Sequence, residues 1–340
     1  MGQVNIHPTW RDQPTPYAVG NIMTSEPSIR PDVAAFLGFL NGLESPKMHE
    51  VSPEVARQMM TAMGPIAELP VGELAVIRDI SISGPAGTIP ARLYDARERR
   101  DAGPVMVFFH GGGFVIGDLD VYQPYCAEVA RQLDIPVISV DYRLAPEHPF
   151  PAASDDCESA ARWVAESPAE LGLEVTGLVL SGDSAGGNLT IVTSMALRDK
   201  PAAVPVIVQY PIYPAVSQSD DWQSARDYAD GYLLTADGMA WFFDHYNPVA
   251  DDYRSTPLDH DQQGMPPTLL VTAGLDPLRD QGAAYAEALK TAGVPVEYHN
   301  AEGTIHGFIN LRKALPSAQE DVTAHLALLK AMLNRIREAA

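Results

Sequence analysis

The segment Gly182-Asp183-Ser184-Ala185-Gly186-Gly187-Asn188 is the most informative part of this sequence. It joins a predicted strand at 177–181 to a predicted helix at 188–200. Ser184 therefore lies on a sharp turn, and its small neighbours leave room for the bend and for an approaching reagent. A serine hydroxyl in front of a helix N-terminus can attack a carbonyl, because the helix dipole favours the negative charge that develops. Glycine-rich turns also contain serine by chance, so the meaning of the pattern depends on its surroundings.

A second glycine-rich segment, His110-Gly111-Gly112-Gly113-Phe114, follows the apolar run 104–109. The run is short, continuous and rich in Val and Phe, which predicts a buried parallel strand. Glycines after such a strand either relieve a crowded corner or point backbone N–H groups into a cavity. Beside a nucleophilic serine we expect the second use, because the tetrahedral intermediate of acyl transfer carries an oxyanion. The expected donors are the N–H groups of Gly112, Gly113 and Ala185.

An attacking serine needs a base, and the base needs a carboxylate that orients it. Asp276 follows a predicted buried strand at 267–274, and catalytic groups of open α/β sheets collect at such strand ends. Asp276 can also cap the next helix, since Pro277 suits a first helical position. Asp280 is a weaker candidate because it lies inside that helix.

His306 is the strongest candidate for the base. It lies in a loop beyond the predicted strand 294–300 and completes the order serine, acid, histidine. His299 competes with it but lies within that strand, where we expect it to face outward. The three residues predict a nucleophilic triad of Ser184, His306 and Asp276.

With these residues identified, the chain resembles the hormone-sensitive-lipase-like family of bacterial carboxylesterases. It resembles the branch in which the turn that carries the nucleophile, called the elbow, has the sequence G-D-S-A-G-G-N, as at 182–188. The resemblance spans about residues 75–310 and includes the segment 141–153. It implies that Asp141 and Arg143 brace the loops around the elbow, and it implies the triad and oxyanion donors given above. It further implies an α/β-hydrolase fold with an eight-stranded, mainly parallel sheet, a helical cap, and neither a cofactor nor a metal.

The alternation of strands and helices from about residue 75 predicts a mainly parallel sheet with helices on both faces. Two regions interrupt it. Residues 1–65 contain two short helix patterns, and residues 214–250 carry aromatic residues, among them Phe242, at helical spacing. Short helices must pack on something. We therefore interpret these regions as an N-terminal cap segment and a cap insertion on a catalytic domain over 66–340, with peripheral decoration as the alternative.

Composition limits the partners and the location. The net charge of −21 argues against nucleic acid and anionic membrane surfaces. The first residues lack the apolar stretch of a signal peptide, and no run approaches the ~20 apolar residues of a membrane span. We therefore expect a cytoplasmic protein. Cys126 and Cys157 lie in predicted helices, where we expect small buried apolar residues rather than a disulfide.

The predicted function is a carboxylesterase that hydrolyses short- to medium-chain acyl esters through an acyl-enzyme. A lipase, a thioesterase or an amidase would use the same residues, and these alternatives stay open. A ligand-binding module of the same fold is a further alternative, against which the intact His306 argues. The expected partner is a small-molecule ester. A homodimer through the last strand, at about 294–300, is implied only by the resemblance.

Overall fold

A computed structural model describes residues 28–339 of the chain. Within this range, eight strands form one sheet in the order β1-β2-β4-β3-β5-β6-β7-β8. β1 and β2 form an antiparallel hairpin, β2 is antiparallel to β4, and the remaining neighbours are parallel. The strands are β1 (Val76–Gly84), β2 (Gly87–Asp95), β3 (Ala102–Phe109), β4 (Val137–Val140), β5 (Glu174–Asp183), β6 (Val206–Ile212), β7 (Thr268–Leu275) and β8 (Val296–Ile305).

Helices cover both faces of this sheet, as expected. Along β3, Val105, Val107 and Phe109 contact the helices of one face, whereas Met106 and Phe108 contact those of the other. All five side chains are fully buried, as expected for a strand between two helical layers. The α-helices of the described range are α1 (Pro31–Asn41), α2 (Pro53–Ala67), α3 (Leu119–Leu133), α4 (Ala152–Ala165), α5 (Ala185–Asp199), α6 (Gln223–Asp227), α7 (Ala236–Tyr246), α8 (Arg279–Thr291) and α9 (Pro316–Ala339).

The first helical region is anchored on the body of the protein. The apolar face of α1 joins the core formed with α3 and α9, and Val33 is fully buried there. The carboxylate of Asp32 accepts a hydrogen bond of 2.9 Å from the N–H of Ser317 at the start of α9. In α2, Arg57 donates to the carbonyl of Val115 at 2.8 Å and pairs with Glu147. Residues 1–27 of the predicted N-terminal segment lie outside the described residues.

The second helical region contacts the first. A short 3₁₀ turn at Met48–Glu50 packs on α7. The side-chain amide of Asn41, at the end of α1, donates to the carbonyl of Gly231 at 3.0 Å. Both regions therefore lie side by side, although they are far apart in the sequence.

The two cysteines behave as their surroundings in the sequence predict. Cys126 in α3 and Cys157 in α4 are buried and unpaired. Burial raises the pKa of the Cys126 thiol to about 12, so this group stays neutral. As for the helices within residues 28–339, none combines the length and the apolar character that a membrane crossing requires.

The segment that leads from β4 to α4 carries the two residues expected to brace the elbow loops. Arg143 fits this role, because its Nε and Nη2 atoms each donate at 2.8 Å to the buried carboxylate of Asp156. The Asp141 carboxylate does not fit it, because it has no hydrogen-bond partner among the described residues and lines a cavity near Asp118. Burial raises the pKa of Asp141 to about 6, and the neighbouring Asp118 adds to the effect.

Asp141→Asn is expected to stabilise the protein at pH 8 by about 1 kcal/mol, a value reduced for the partial exposure of this side chain. Because the folded-state pKa is raised, the protonated carboxyl stabilises the fold. That contribution is complete below the unfolded pKa near 4 and is lost as the pH rises through about 6. Asparagine mimics the protonated form and avoids the loss.

Urea unfolding of both proteins between pH 4 and pH 8 measures this difference, which should shrink toward zero at pH 4. Asp101→Asn, which removes the charge of an exposed aspartate, controls for net charge. A difference that does not change with pH would contradict the prediction.

Candidate active site

Ser184 occupies the turn between β5 and α5 in a rare backbone conformation. β5 ends at Asp183 and α5 begins at Ala185, so Ser184 alone makes the turn. Its φ of 56° and ψ of −117° lie where residues with a Cβ are seldom found. Such conformations persist only where the surroundings impose them, and they concentrate at functional sites. The turn therefore holds the hydroxyl away from both elements.

The close approach of β3 explains the glycine two residues after Ser184. A Cβ at Gly186 would lie 1.9 Å from the carbonyl oxygen of Phe109, the last residue of β3. No side chain fits at that distance. The first turn of α5 is therefore pressed against the point where β3 ends and the His110–Phe114 loop begins.

Ser184, His306 and Asp276 are joined by hydrogen bonds. The Nε2 atom of His306 lies 2.9 Å from the Ser184 Oγ, and its Nδ1 atom lies 2.7 Å from Oδ2 of Asp276. Asp276 directly follows β7 and His306 directly follows β8. Asp276 is fully buried and His306 is 8% exposed, whereas Ser184 is half-buried. The hydroxyl can thus be reached from outside, while the groups that support it are shielded.

Asp276 serves the next helix as well as the histidine. Its Oδ1 atom accepts a hydrogen bond of 2.8 Å from the N–H of Leu278. The helix α8 begins at Arg279 rather than at Pro277, so this contact forms an Asx turn ahead of the helix rather than an N-cap. The two carboxylate oxygens thus have separate partners, and the side chain is held in one orientation.

The competing candidates have other partners. Oδ2 of Asp280 accepts a hydrogen bond of 2.8 Å from the N–H of Ser224, which ties α8 to α6. The Nδ1 atom of His299 lies 2.9 Å from Nε2 of His325 in α9. His299 is half-buried rather than directed outward. Neither residue is hydrogen-bonded to Ser184.

The predicted oxyanion donors lie at the same corner. Within residues 28–339, no backbone carbonyl accepts a hydrogen bond from the N–H groups of Gly112 and Gly113. Ala185 is the first residue of α5, and N–H groups in the first turn of a helix have no partner within it. Gly112 has a φ of 115°, and a Cβ there would lie 2.1 Å from the carbonyl oxygen of Ile116. Only glycine fits this bend of the loop.

Three residues near the site were not predicted as functional from the sequence. The carboxylate of Asp183 accepts a hydrogen bond of 2.7 Å from the N–H of Gly111. The ring of Tyr213, just after β6, lies 4.6 Å from the imidazole of His306 between centroids. The ring of Phe242 in α7 covers Gly113 so closely that a Cβ there would lie 2.3 Å from it. These contacts join residues far apart in the chain, and no local motif signals them.

Known proteins resemble this chain in both sequence and structure. A family model described as the α/β hydrolase fold matches residues 106–310. The esterase LipI of Mycobacterium tuberculosis is 39% identical over 272 residues, which cover 77% of this chain and 83% of that protein. The ethyl acetate hydrolase of Pseudomonas putida is 36% identical over 307 residues, which cover 86% of this chain and 96% of that protein. A solved ester hydrolase from the metagenome of Lake Arreo superposes with a TM-score of 0.85 at 35% identity, covering 90% of this chain and 99% of the other.

Proposed function

The chain belongs to the α/β hydrolase fold family and is a carboxylic ester hydrolase, and we propose that Ser184, His306 and Asp276 carry out its reaction. The observation that carries this proposal is the unbroken hydrogen-bond chain from the Ser184 hydroxyl through both ring nitrogens of His306 to Asp276. A nucleophile, a base and an orienting carboxylate in this order are what acyl transfer to serine requires.

In the first half of the proposed reaction, Nε2 of His306 takes the proton of the Ser184 hydroxyl as Oγ attacks the ester carbonyl. The carbonyl oxygen becomes an oxyanion, which accepts hydrogen bonds from the N–H groups of Gly112, Gly113 and Ala185. Asp276 stabilises the imidazolium and keeps its Nδ1 proton in place. The imidazolium then gives its proton to the leaving alcohol, and the acyl group remains on Ser184.

In the second half, water replaces the alcohol. His306 takes a proton from the water as its oxygen attacks the acyl carbonyl, and the same donors hold the second oxyanion. Collapse of this intermediate breaks the bond to Oγ, and the imidazolium returns the proton to Ser184. The products are the carboxylic acid and the free enzyme.

We propose that residues 28–65, the described part of the predicted N-terminal segment 1–65, form a cap together with about 214–250 on a catalytic domain over 66–340. The contacts of α7 with the Met48–Glu50 turn and of Asn41 with Gly231 support this. Phe242 on α7 contacts Gly113 in the loop His110–Phe114, which we call the oxyanion loop. Its ring therefore limits the space above the reacting carbonyl, which favours short to medium acyl chains over long ones.

Labelling with an organophosphonate tests the residue assignment. The probe phosphonylates an activated serine, and peptide mapping of the labelled protein identifies the residue. We expect one modified residue, Ser184, and loss of esterase activity in proportion to labelling. Modification at another serine with full loss of activity would contradict the assignment.

Rates with matched esters, thioesters, amides and emulsified long-chain lipids separate the esterase from the thioesterase, amidase and lipase alternatives.

Phe242→Ala is expected to widen the acyl preference. Removing the ring opens space beside Gly113, and each buried methylene contributes about 0.8 kcal/mol. We expect kcat/KM for a ten-carbon acyl ester to rise about tenfold relative to that for a four-carbon ester, which corresponds to burial of about two of the additional methylenes in the space of the lost ring. p-Nitrophenyl esters of increasing chain length provide the measurement.

Asp244→Ala, at an exposed position of the same helix, controls for changes in α7 itself and should keep the original preference. An unchanged chain-length profile in Phe242→Ala would place the acyl chain elsewhere.

Two further proposals concern assembly and location. β8 is the outermost strand of the described sheet, and an outer strand can pair with another copy of itself. We propose a homodimer formed there, which light scattering in solution tests directly.

We also propose a cytoplasmic location, which the two buried, unpaired cysteines support. Fractionation of the native cells tests this location.

A further inference from the structure

Asp183 is a buried carboxylate next to the nucleophile, and the reaction described above does not use it. Asp183 is 2% exposed. Oδ1 accepts a hydrogen bond of 2.7 Å from the N–H of Gly111. Oδ2 accepts hydrogen bonds from the hydroxyls of Tyr122 at 3.2 Å and Tyr213 at 3.3 Å. Four elements therefore meet at this one side chain: the elbow, the oxyanion loop, α3 and the end of β6.

Two of these partners lead directly to the reacting groups. Gly111 directly precedes Gly112. The hydrogen bond from the N–H of Gly111 to Asp183 therefore fixes the backbone position from which Gly112 continues. Tyr213 has a φ of 34°, an unfavourable conformation for a bulky residue, and its ring packs against the imidazole of His306. The hydroxyl of Tyr213 is held by Asp183 while its ring supports the base.

The charge of Asp183 has no permanent partner. Among the described residues, no lysine or arginine forms an ion pair with it, and a buried carboxylate without a cation is costly. Burial raises its pKa to about 6, against the Gly111 hydrogen bond and the attraction of His306, which favour the ionised form. The titratable groups that interact with it are Tyr122, Tyr125, Cys126, Tyr142, Tyr213 and His306.

Only one group in that set becomes a cation during the proposed reaction. Burial raises the pKa values of the surrounding phenols and the thiol, so these remain neutral. His306 alternates between imidazole and imidazolium. Above about pH 6 the Asp183 carboxyl is ionised, and its negative charge favours the imidazolium, which is the form present when the oxyanion exists.

We propose that Asp183 is a positioning residue that fixes the oxyanion loop through Gly111 and the base through Tyr213, and that its charge stabilises the His306 imidazolium. The proposal rests on the proposed function, since it assigns His306 as the base. Under this proposal, Asp183 contributes to the electrostatics of the site and does not merely occupy a position in the turn before Ser184.

Asp183→Asn separates charge from position. The amide oxygen can still accept from the N–H of Gly111, and the amide NH₂ can donate to the hydroxyl oxygens of Tyr122 and Tyr213, but the charge is gone. We expect kcat to fall about tenfold and the acidic limb of the kcat/KM profile to move to lower pH, because asparagine has no carboxyl group that titrates near pH 6 beside the site. A purely structural role would lower kcat without moving the limb.

Two tyrosine variants are matched controls. Tyr213→Phe keeps the ring beside His306 and removes only the hydroxyl that Asp183 holds. It should lower kcat several-fold with an unmoved acidic limb. Tyr285→Phe removes a fully buried tyrosine hydroxyl from α8, where the ring packs in a different apolar cluster from that of Tyr213. It should keep kcat within about twofold of the original.

The outcomes separate this proposal from the proposed function. Failure of an organophosphonate to label Ser184 in the unaltered enzyme would refute the function itself. If Ser184 is labelled and Asp183→Asn keeps the original kcat and the original acidic limb, the positioning role is overturned. A loss of kcat with an unmoved limb overturns the charge role. Should Asp183→Asn fail to fold, Tyr213→Phe decides, because unaltered kcat there would remove the link from Asp183 to His306.

Discussion

Replacing Ser184 by alanine is expected to lower kcat for ester hydrolysis about 10⁶-fold. The substitution removes the atom that attacks the carbonyl and leaves the rest of the site in place. Its Oγ has one hydrogen-bond partner among the described residues, Nε2 of His306, so its loss leaves only that ring nitrogen without a partner. A residual rate of about 10³ to 10⁴ over the reaction in water should remain from the oxyanion donors and substrate binding.

Initial rates with a p-nitrophenyl ester, measured at enzyme concentrations high enough to detect the residual activity, test this. Ser181→Ala, in the strand β5 that leads to Ser184, is a matched control, since the Ser181 hydroxyl donates to the carbonyl of Tyr210 rather than to His306. Its kcat should stay within about tenfold of the original. A Ser184→Ala enzyme that kept more than about 1% of kcat would show that another nucleophile carries the reaction.

Most of the sheet was predictable because each strand is encoded locally. The strands predicted at 104–109, 177–181 and 267–274 are present in the structure, and the matches to known esterases confirm both the fold class and the resemblance. Three strand ends could be placed together without coordinates, because parallel strands direct their carboxyl ends to one edge. That rule brought Ser184, Asp276 and His306 together as candidates, and their hydrogen bonds are the refinement that only the structure supplies.

Element ends were harder to predict, for physical reasons. The predicted last strand stops near residue 300, before Gly303, whereas β8 continues to Ile305 because it pairs with Leu275 of β7 beyond a shift in register. The helix after the elbow begins at Ala185, earlier than the predicted 188. Pairing with a distant strand decided the first boundary, and the packing of Gly186 against β3 accompanies the second. Neither contact is visible in the local sequence.

The residues that shape and tune the site were not predictable at all. Phe242 reaches Gly113 from α7, and Tyr213 reaches His306 from the end of β6. A helical aromatic pattern predicts only that α7 has an apolar face, not which ring covers the oxyanion loop. Asp183 lies within the glycine-rich motif around Ser184, yet the role proposed for it depends on three partners from elsewhere in the chain.

Asp276→Asn is expected to lower kcat about 10⁴-fold with little change in the fold. Oδ1 of Asp276 accepts from the N–H of Leu278, and Oδ2 accepts from His306. An asparagine has a single oxygen for these two donors. If the oxygen stays on the Leu278 N–H, the amide NH₂ faces Nδ1 of His306 and requires that nitrogen to accept a hydrogen bond. The imidazole of His306 then carries its proton on Nε2, so this nitrogen can no longer accept the proton of Ser184.

The loss in Asp276→Asn should therefore exceed what the removal of one charge would cause, because the wrong tautomer disables the base. Rates measured across the alkaline range test this, since hydroxide can replace the base in part and should recover some activity. Asp280→Asn, a change of the nearby aspartate that contacts Ser224 instead, is the matched control. It should keep kcat within about tenfold of the original. Equal losses in the two variants would mean that the carboxylate at 276 supports α8 rather than the histidine.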